Sequence, residues 1–321
     1  MAGALVAARH LGFGLTLVGP RRVIDDELLD HPEADAVDLR VVPAPDVIEM
    51  DEGPSALRRK PRASVRVAAE TVALGDAAAF FSAGNTGATL VAAHAAFGML
   101  PGVDRPALAT RIPTRRRDAV LLDIGATVDC RAHHLVQFAE MGTVYAQRVL
   151  GIESPRVGLL SIGEEATKGN HLTRDAHRLL RRTDLQFIGN LEARDLYSGS
   201  ADAVICDAFT GNVALKVSEG LVETVEELLR DELSRTFSTQ LGYLLSRRAF
   251  RRFRRRVDYS EYGGAPLLGV ARLAVVGHGR SSVKAVRNAL ALTYRFVRQD
   301  LVEKIGERMR MSAQDVAGRA S

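Results

Sequence analysis

Cysteine is scarce: Cys130 and Cys206 are the only two in 321 residues, and they lie far apart. Their spacing fits neither a metal site nor a redox pair, which suits a reducing cytoplasm and two packing residues. The N-terminal MAGALVAARHLGFG has no charged lead-in, and Arg9 and His10 break its apolar stretch, so a secretory signal is not expected. Residues 77–103 contain no Asp, Glu, Lys or Arg, yet their middle reads SAGNTG. Unpaired polar backbone there would be costly in lipid, so a buried strand, a loop and a buried helix are expected instead of a membrane span. The sequence also lacks the G-x-S-x-G elbow of serine hydrolases, a Walker G-x-x-x-x-G-K-S/T, and the clustered His and Cys of a zinc site.

A net charge of +4 does not make the protein basic throughout. The run RRAFRRFRRR, residues 247–256, holds seven arginines and no acid, which leaves −3 for the rest. A local basic patch follows, and a nucleic-acid partner is not expected.

At 46% hydrophobic and 26% charged residues, the chain can bury a substantial core. Short apolar runs ending in Gly-rich turns alternate with helical periodicity. Strands are expected at 15–19, 37–42, 78–83, 119–125, 156–162, 185–190, 203–209 and 273–277, with helices between them. Apolar runs without polar alternation, separated by helices, predict an α/β fold with a mostly parallel sheet covered on both faces. The expected organisation is one α/β body over 1–321 with a helical excursion at 221–258.

In such sheets, ligands bind beyond the carboxyl ends of the strands. Five polar, Gly-rich loops follow expected strands: SAGNTG, DIGATVD, GEEATKGN, DAFTGN and GHGRSS. If they converge, they supply Asn85, Thr86, Asp123, Thr127, Asp129, Lys168, Asn170, Asp207, Thr210, Asn212, His278, Ser281 and Ser282. Amide and hydroxyl donors with a single lysine suit a phosphate or another oxyanion, and GNTG and TGN each open a helix able to hold an anion. Each residue also has a plainer role. Lys168 can pair with Glu164 or Glu165 in a surface turn, and Asn212 can cap a helix starting near Val213. Asn85 can support a tight turn, and Asp123 and Asp207 can order loops. His94, His133 and His134 fit helix packing or surface positions, and Tyr259 and Tyr262 fit packing of the excursion.

The strings VIEMDEGPSALRRK, SAGNTGA, PGVDRPALAT, HHLVQFAEMG, VGLLSIGEEATKGN, DAFTGNVALK and DYSEYGGAPLLG resemble those of the bacterial PlsX-type phosphate acyltransferases. The resemblance runs from about residue 3 to about residue 300. It implies an α/β/α sandwich related to the isocitrate and isopropylmalate dehydrogenases, and a homodimer. It also implies an activity that converts the acyl thioester of acyl carrier protein and inorganic phosphate to acyl phosphate, feeding phosphatidic acid and phospholipid synthesis, with no metal or other cofactor. Lys168 and Asn212 are then the catalytic donors. Asn85, Thr86, Asp123, Asn170, Asp207, Thr210, His278 and Ser281 are expected to bind substrate or phosphate. The sequence departs from the family at Thr127, where asparagine is usual, at Ala208, where glycine is usual, and in GHGRSS, where A-H-G-S-S is more common. A D-A-M-G-G-D segment on a first strand, which precedes the opening helix in the family, is not among residues 1–321. A phosphotransacetylase-like enzyme, a decarboxylating dehydrogenase relative and a catalytically weakened scaffold stay open as alternatives.

In LGYLLSRRAFRRFRRRV, Leu245, Ala249, Phe253 and Val257 recur at helical spacing among arginines. Arg251, Arg252, Phe253, Arg254 and Arg255 are therefore expected to make a transient contact with an anionic membrane, with acidic acyl carrier protein as the second client. A solvated helix against a partner subunit is the plainer alternative. The expected location is the cytoplasm, with peripheral membrane association.

Overall fold

The computed structural model describes residues 1–257, 263–277, 279 and 281–320, with backbone alone at 255, 257 and 315–320. The chain opens with α1 (Ala2–Leu11), β1 (Leu15–Gly19), α2 (Arg21–Leu29) and β2 (Leu39–Pro43), and β1 and β2 pair in parallel as a separate two-stranded sheet. Next come α3 (Ala56–Arg59), α4 (Ser64–Ala73), β3 (Ala79–Ser82), α5 (Thr86–Phe97), β4 (Ala107–Ile112) and β5 (Ala119–Leu122). The middle of the chain forms α6 (Ala132–Val149), β6 (Val157–Leu160), α7 (His171–Leu180), β7 (Phe187–Leu191) and β8 (Ala203–Ile205). Two long helices, α8 (Ala208–Ser234) and α9 (Phe237–Val257), precede β9 (Ala265–Leu268), β10 (Leu273–Val276), α10 (Val283–Arg298) and α11 (Leu301–Ala320).

Eight strands form the main sheet in the order β3-β10-β9-β4-β5-β8-β6-β7. Within β5, β8, β6 and β7 every pairing is parallel, as is that of β3 with β10. The antiparallel pairings all involve β4 or β9, the two strands absent from the sequence expectation. ALATRI sits between Pro106 and Pro113, and APLL is short and contains Pro266, so neither presents a strong strand pattern. The consequence for function is directional. The carboxyl ends of β5, β6 and β8 lie on the edge where β4 begins, and those of β3 and β10 on the edge where β4 ends.

Helices cover both faces, giving the three-layer α/β/α sandwich. Leu122 and Val120 face one core with Phe138, Tyr145 and Phe296 from α6 and α10. Leu121 and Val204 face the other with Val72, Ala88 and Ala92 from α4 and α5. Each such large side chain contributes about 1.5–3 kcal/mol by burial. The helices α8 and α9 depart from this scheme. After Ala208, Gly211 and Leu215, α8 leaves the core, and the pair exposes Leu221, Leu228, Phe237, Leu241, Leu244 and Leu245. Arg254 Nε, 3.2 Å from Glu226, joins α9 to α8, and Arg256 donates 2.8 Å to the Thr114 carbonyl of the β4–β5 turn.

Candidate active site

The parallel block β5-β8-β6-β7 brings three of the five loops side by side. At the end of β5, Asp123 is fully buried. One carboxylate oxygen accepts from the backbone N–H groups of Leu108, Gly125 and Ala126 at 2.9–3.0 Å, and the other from Thr127 at 2.7 Å. Burial pushes its pKa up, against the four backbone donors that favour the charged form. Expected among the phosphate-binding groups, Asp123 is occupied by the chain and shapes the DIGATVD loop from beneath. Thr127 is held likewise, its hydroxyl donating to the Pro106 carbonyl at 2.9 Å.

The next loop follows β8. Asp207 is the N-cap of α8, accepting from the Thr210 N–H at 2.9 Å and the Thr210 hydroxyl at 2.7 Å, so these two satisfy each other. The helix thus begins at Ala208, not near Val213, and Asn212 lies in its second turn, where it cannot serve as a cap. Asn212 is exposed and its amide makes no hydrogen bond to another described residue. Gly211 lets α8 approach the sheet, because any Cβ there would overlap the Asp123 carbonyl. The Ala208 N–H donates to the Thr127 carbonyl at 3.2 Å and ties this loop to DIGATVD.

The third loop, GEEATKGN, follows β6. Gly169 adopts φ +98°, and a side chain there would also overlap the Thr173 hydroxyl, so the turn requires glycine. Asn170 caps α7 by accepting from the Thr173 N–H at 2.9 Å. The loop is braced from behind: His177 Nδ1 meets buried Asn190 Oδ1 at 2.9 Å, and Asn190 Nδ2 donates 2.9 Å to the Glu165 carbonyl. Lys168 is exposed, and neither Glu164 nor Glu165 lies within ion-pair distance of its ammonium. The surface salt-bridge alternative does not hold. No sequence pattern pointed to Asn190 or His177, whose roles come only from the pairing of β6 with β7.

The other two loops belong to β3 and β10 and lie at the opposite edge of the sheet, so the expected convergence of all five loops does not occur within one chain: the antiparallel strands β4 and β9 reverse the direction between the two blocks. Asn85 is the N-cap of α5, accepting from Ala88 N–H at 2.9 Å, while its NH2 donates to the carbonyls of Glu49 at 3.0 Å and Glu52 at 2.7 Å. It thereby holds the MDEG turn against the SAGNTG loop. Thr86, beside it, is exposed. Ser281 is half-buried and precedes Ser282, which caps α10. His278, Tyr259, Tyr262 and the side chains of Arg255 and Val257 lie outside the described residues.

Neither thiol is poised for nucleophilic chemistry. Burial, with Asp123 and Asp207 nearby, pushes Cys130 up to about 12, and burial raises Cys206 as well. Asp104, His133 and His134 come close enough to suggest a metal site. However, His134 Nδ1 accepts the Arg131 N–H at 3.0 Å, which places the proton of the neutral ring on Nε2 and leaves that residue no lone pair for an ion. Burial lowers the His134 pKa, in keeping with a neutral ring that completes the start of α6.

Among the described residues, open donors on the β5-β8-β6 edge include the Lys168 ammonium, the Asn212 amide, the Asn170 NH2 and the buried Ser161 hydroxyl just after β6, which has no hydrogen-bond partner. The family model described as fatty acid synthesis protein matches residues 1–304. The chain is 46% identical over 308 residues to a phosphate acyltransferase of Geobacter sulfurreducens, covering 96% of this chain and 89% of the relative. It is 48% identical over 295 residues to a phosphate acyltransferase of Acidobacterium capsulatum, covering 92% and 88%. This chain belongs to the phosphate acyltransferase family. Among solved structures it resembles a phosphotransacetylase from Streptococcus pyogenes, with a TM-score of 0.61 at 16% identity over 93% of this chain and 92% of that one. The EutD phosphotransacetylase from Staphylococcus aureus gives a TM-score of 0.50 at 12% identity, covering 93% and 98%. At those identities the likeness concerns the fold, and it agrees with the sandwich found in this phosphate acyltransferase family member.

Proposed function

We infer that this protein is an acyltransferase that moves the acyl group of acyl carrier protein onto inorganic phosphate, yielding acyl phosphate and free carrier thiol. Membership of the phosphate acyltransferase family, across nearly the whole chain, carries this reading. In the reaction a phosphate oxygen attacks the thioester carbon, and negative charge gathers on the carbonyl oxygen. The C–S bond then breaks and the thiolate leaves. Phosphate is already anionic and the thiolate leaves readily, so no protein nucleophile or strong base is required. The protein has to position the reactants and stabilise the developing oxyanion. Lys168 and Asn212 suit those tasks because neither donor is engaged by another described residue. Asn170 offers a further open donor for phosphate, whereas Thr86 follows β3 at the opposite edge of the sheet. Asp123, Asp207, Thr210 and Asn85 act one step back, by holding the loops.

The deciding experiment incubates purified protein with an acyl thioester of acyl carrier protein and phosphate, and traps the product with hydroxylamine. Acyl hydroxamate is expected in the presence of EDTA and without nucleotide. Turnover that requires a divalent metal or NAD would overturn the assignment.

A homodimer and a transient contact with anionic membrane are part of the same proposal. They are supported by the apolar side chains that α8 and α9 leave exposed, and by the arginines beside Phe253. No helix among the described residues is long and apolar enough to cross a membrane, and a cytoplasmic protein that touches the bilayer from one side fits the proposed product, a lipid precursor.

A further inference from the structure

Just past β6, the Ser161 hydroxyl is buried yet makes no hydrogen bond to another described residue. Its backbone is tied down, the Ser161 N–H donating to the Leu191 carbonyl at 2.8 Å. The orphan oxygen lies against Gly169, where a built Cβ would come within 2.8 Å of it. A buried hydroxyl without a partner costs stability, and native folds hold few of them, so this one calls for a reason. Thr143 Oγ1 and Gln299 Oε1 share its state, but they belong to α6 and the end of α10. Of the three, Ser161 alone stands at the carboxyl end of a strand in the β5-β8-β6 edge.

The other groups around Gly169 are donors. Arg174 Nη1 donates to the Gly169 carbonyl at 2.7 Å, and Nη2 stands 3.4 Å from His171 Nδ1. Among the described residues, no carboxylate lies within ion-pair distance of this half-buried guanidinium, and Asp175 beside it is paired with Arg178. Asn170 caps α7 through its oxygen and keeps its NH2 open, while Lys168 precedes the glycine. The positive end of the α7 dipole falls at the same turn. An orphan hydroxyl, a guanidinium, an amide NH2 and an ammonium thus border a single glycine. A neutral thioester carbonyl has one oxygen and cannot engage so many donors. A tetrahedral anion can, and a guanidinium fork matches a pair of its oxygens.

We propose that inorganic phosphate is seated beside Gly169, between the Ser161 hydroxyl and the Arg174 guanidinium, with Lys168 and Asn170 completing its donors. Asn212, at the start of α8, is then left for the thioester carbonyl. The choice of anion rests on the acyl-transfer reading above, whereas the pocket rests on the donors. Ser161 is a group that destabilises the free protein and is satisfied by the ligand. Arg174 braces the Gly169 carbonyl with one donor and offers the rest of its fork to the anion. Because the hydroxyl is covered, the turn has to lift slightly to admit phosphate, and Gly163 and Gly169 at its ends permit that.

The test measures phosphate binding first and turnover second, starting from phosphate-free buffer. Added inorganic phosphate should raise the Tm of the wild type, as a ligand of the folded state does. Ser161→Ala removes no hydrogen bond between described residues, so without phosphate its Tm should hold or rise. The phosphate concentration needed for the Tm shift should nonetheless increase at least about tenfold. Arg174→Lys keeps the charge but loses the fork, and should show the same increase. In steady-state kinetics both variants should raise KM for phosphate by at least about tenfold and leave KM for the acyl thioester of carrier protein within about twofold. A wild type whose Tm ignores phosphate overturns the proposal, as does an unchanged phosphate requirement in either variant. A Ser161→Ala protein that loses stability and keeps its phosphate affinity also overturns it, and makes the hydroxyl a packing group. A wild type that binds phosphate through these two residues but forms no acyl phosphate supports the pocket and refutes the acyl-transfer reading instead.

Discussion

Gly211 rests on the backbone of Asp123: a methyl group at its Cα would overlap the Asp123 carbonyl oxygen and come within 2.9 Å of the Cys206 sulfur. Since the obstacle is mainly backbone, Gly211→Ala must push the start of α8 outward and carry Asn212 with it. The expected stability loss is about 1–3 kcal/mol. Turnover should fall by at least about tenfold, because a 1 Å misplacement can cost on the order of 100-fold. Gly220, in the same helix with nothing within 4 Å of a built Cβ, is the control. Gly220→Ala should raise stability by about 0.5–1 kcal/mol and leave turnover unchanged. Urea unfolding and steady-state kinetics on the two variants separate packing from function.

Lys168→Ala and Asn212→Ala should each lower kcat by about 100- to 1,000-fold if they stabilise the oxyanion. Both side chains are exposed and free of hydrogen bonds to described residues, so Tm should not move. Asp207→Ala should behave differently, losing about 0.5–2 kcal/mol with its helix cap. Near-normal rates in both donor variants, with unchanged Tm, would make GEEATKGN an ordinary turn.

Asp202 governs acid stability. It is buried at the start of β8 and accepts from Arg156 Nε at 2.9 Å, from the Arg156 N–H at 2.9 Å and from Arg117 Nε at 3.1 Å. Burial alone would raise its pKa, but the Arg156 bonds and the two guanidinium charges outweigh burial and hold it below the ordinary value. A depressed folded pKa means that the stabilisation is complete above the unfolded value of about 3.9 and is lost as pH falls through the folded one. Asp202→Asn should therefore flatten the loss of stability below about pH 4. At pH 7 it should cost about 2–3 kcal/mol, less than a fully buried pair because Arg117 stays half-exposed. Urea midpoints across pH 3–7, a window set around the unfolded carboxylate value of about 3.9, measure both.

The arginine helix should bind anionic vesicles in a salt-sensitive way and ignore neutral ones. Arginine gains about 1 kcal/mol near an anionic surface, so changing Arg251, Arg252, Arg254 and Arg255 to Gln should weaken co-sedimentation by at least about 100-fold. Phe253→Ser should weaken it too, since Phe253 is 48% exposed and free to enter the headgroups. Circular dichroism must show the helix retained, because Arg254 also pairs with Glu226. Should the wild type ignore lipid while the Gln variant loses carrier-protein affinity, the helix is a docking surface instead.

Strand existence was legible wherever the apolar run was unbroken, as in AVLL and VGLL, because residues buried on both faces leave no polar interruption to misread. β4 and β9 escaped, since their interactions are set by neighbours far along the chain and their own sequences carry proline at or beside them. The loops were visible from their glycines, but not how they are distributed. The reversal of strand direction between β4 and β5 is a property of pairing, which local pattern does not encode. Lys168 and Asn212 were recognisable from residue type and family motif. That Asp123 faces inward, or that Asn190 braces Glu165, depends on register and could not be read from spacing. α8 starts at Ala208, five residues before Val213, because Asp207 caps it and DAFTGN, loop-like in composition, forms its first turn.

The two ends of the sheet differ in when they can form. β5, β6, β7 and β8 lie within residues 119–205, so their mutual pairing needs only one contiguous stretch of chain. By contrast, β3 pairs with β10, Ala79 against Leu273, and α1 packs on α10. During synthesis from the N-terminus, the block that carries Lys168 can collapse while the opposite end still waits for its partner to leave the ribosome. Until α10 emerges, α1 and the edge of β3 stay uncovered. A ribosome pause or truncation before residue 273 should expose those apolar surfaces to chaperones and proteases while leaving the 119–205 block folded.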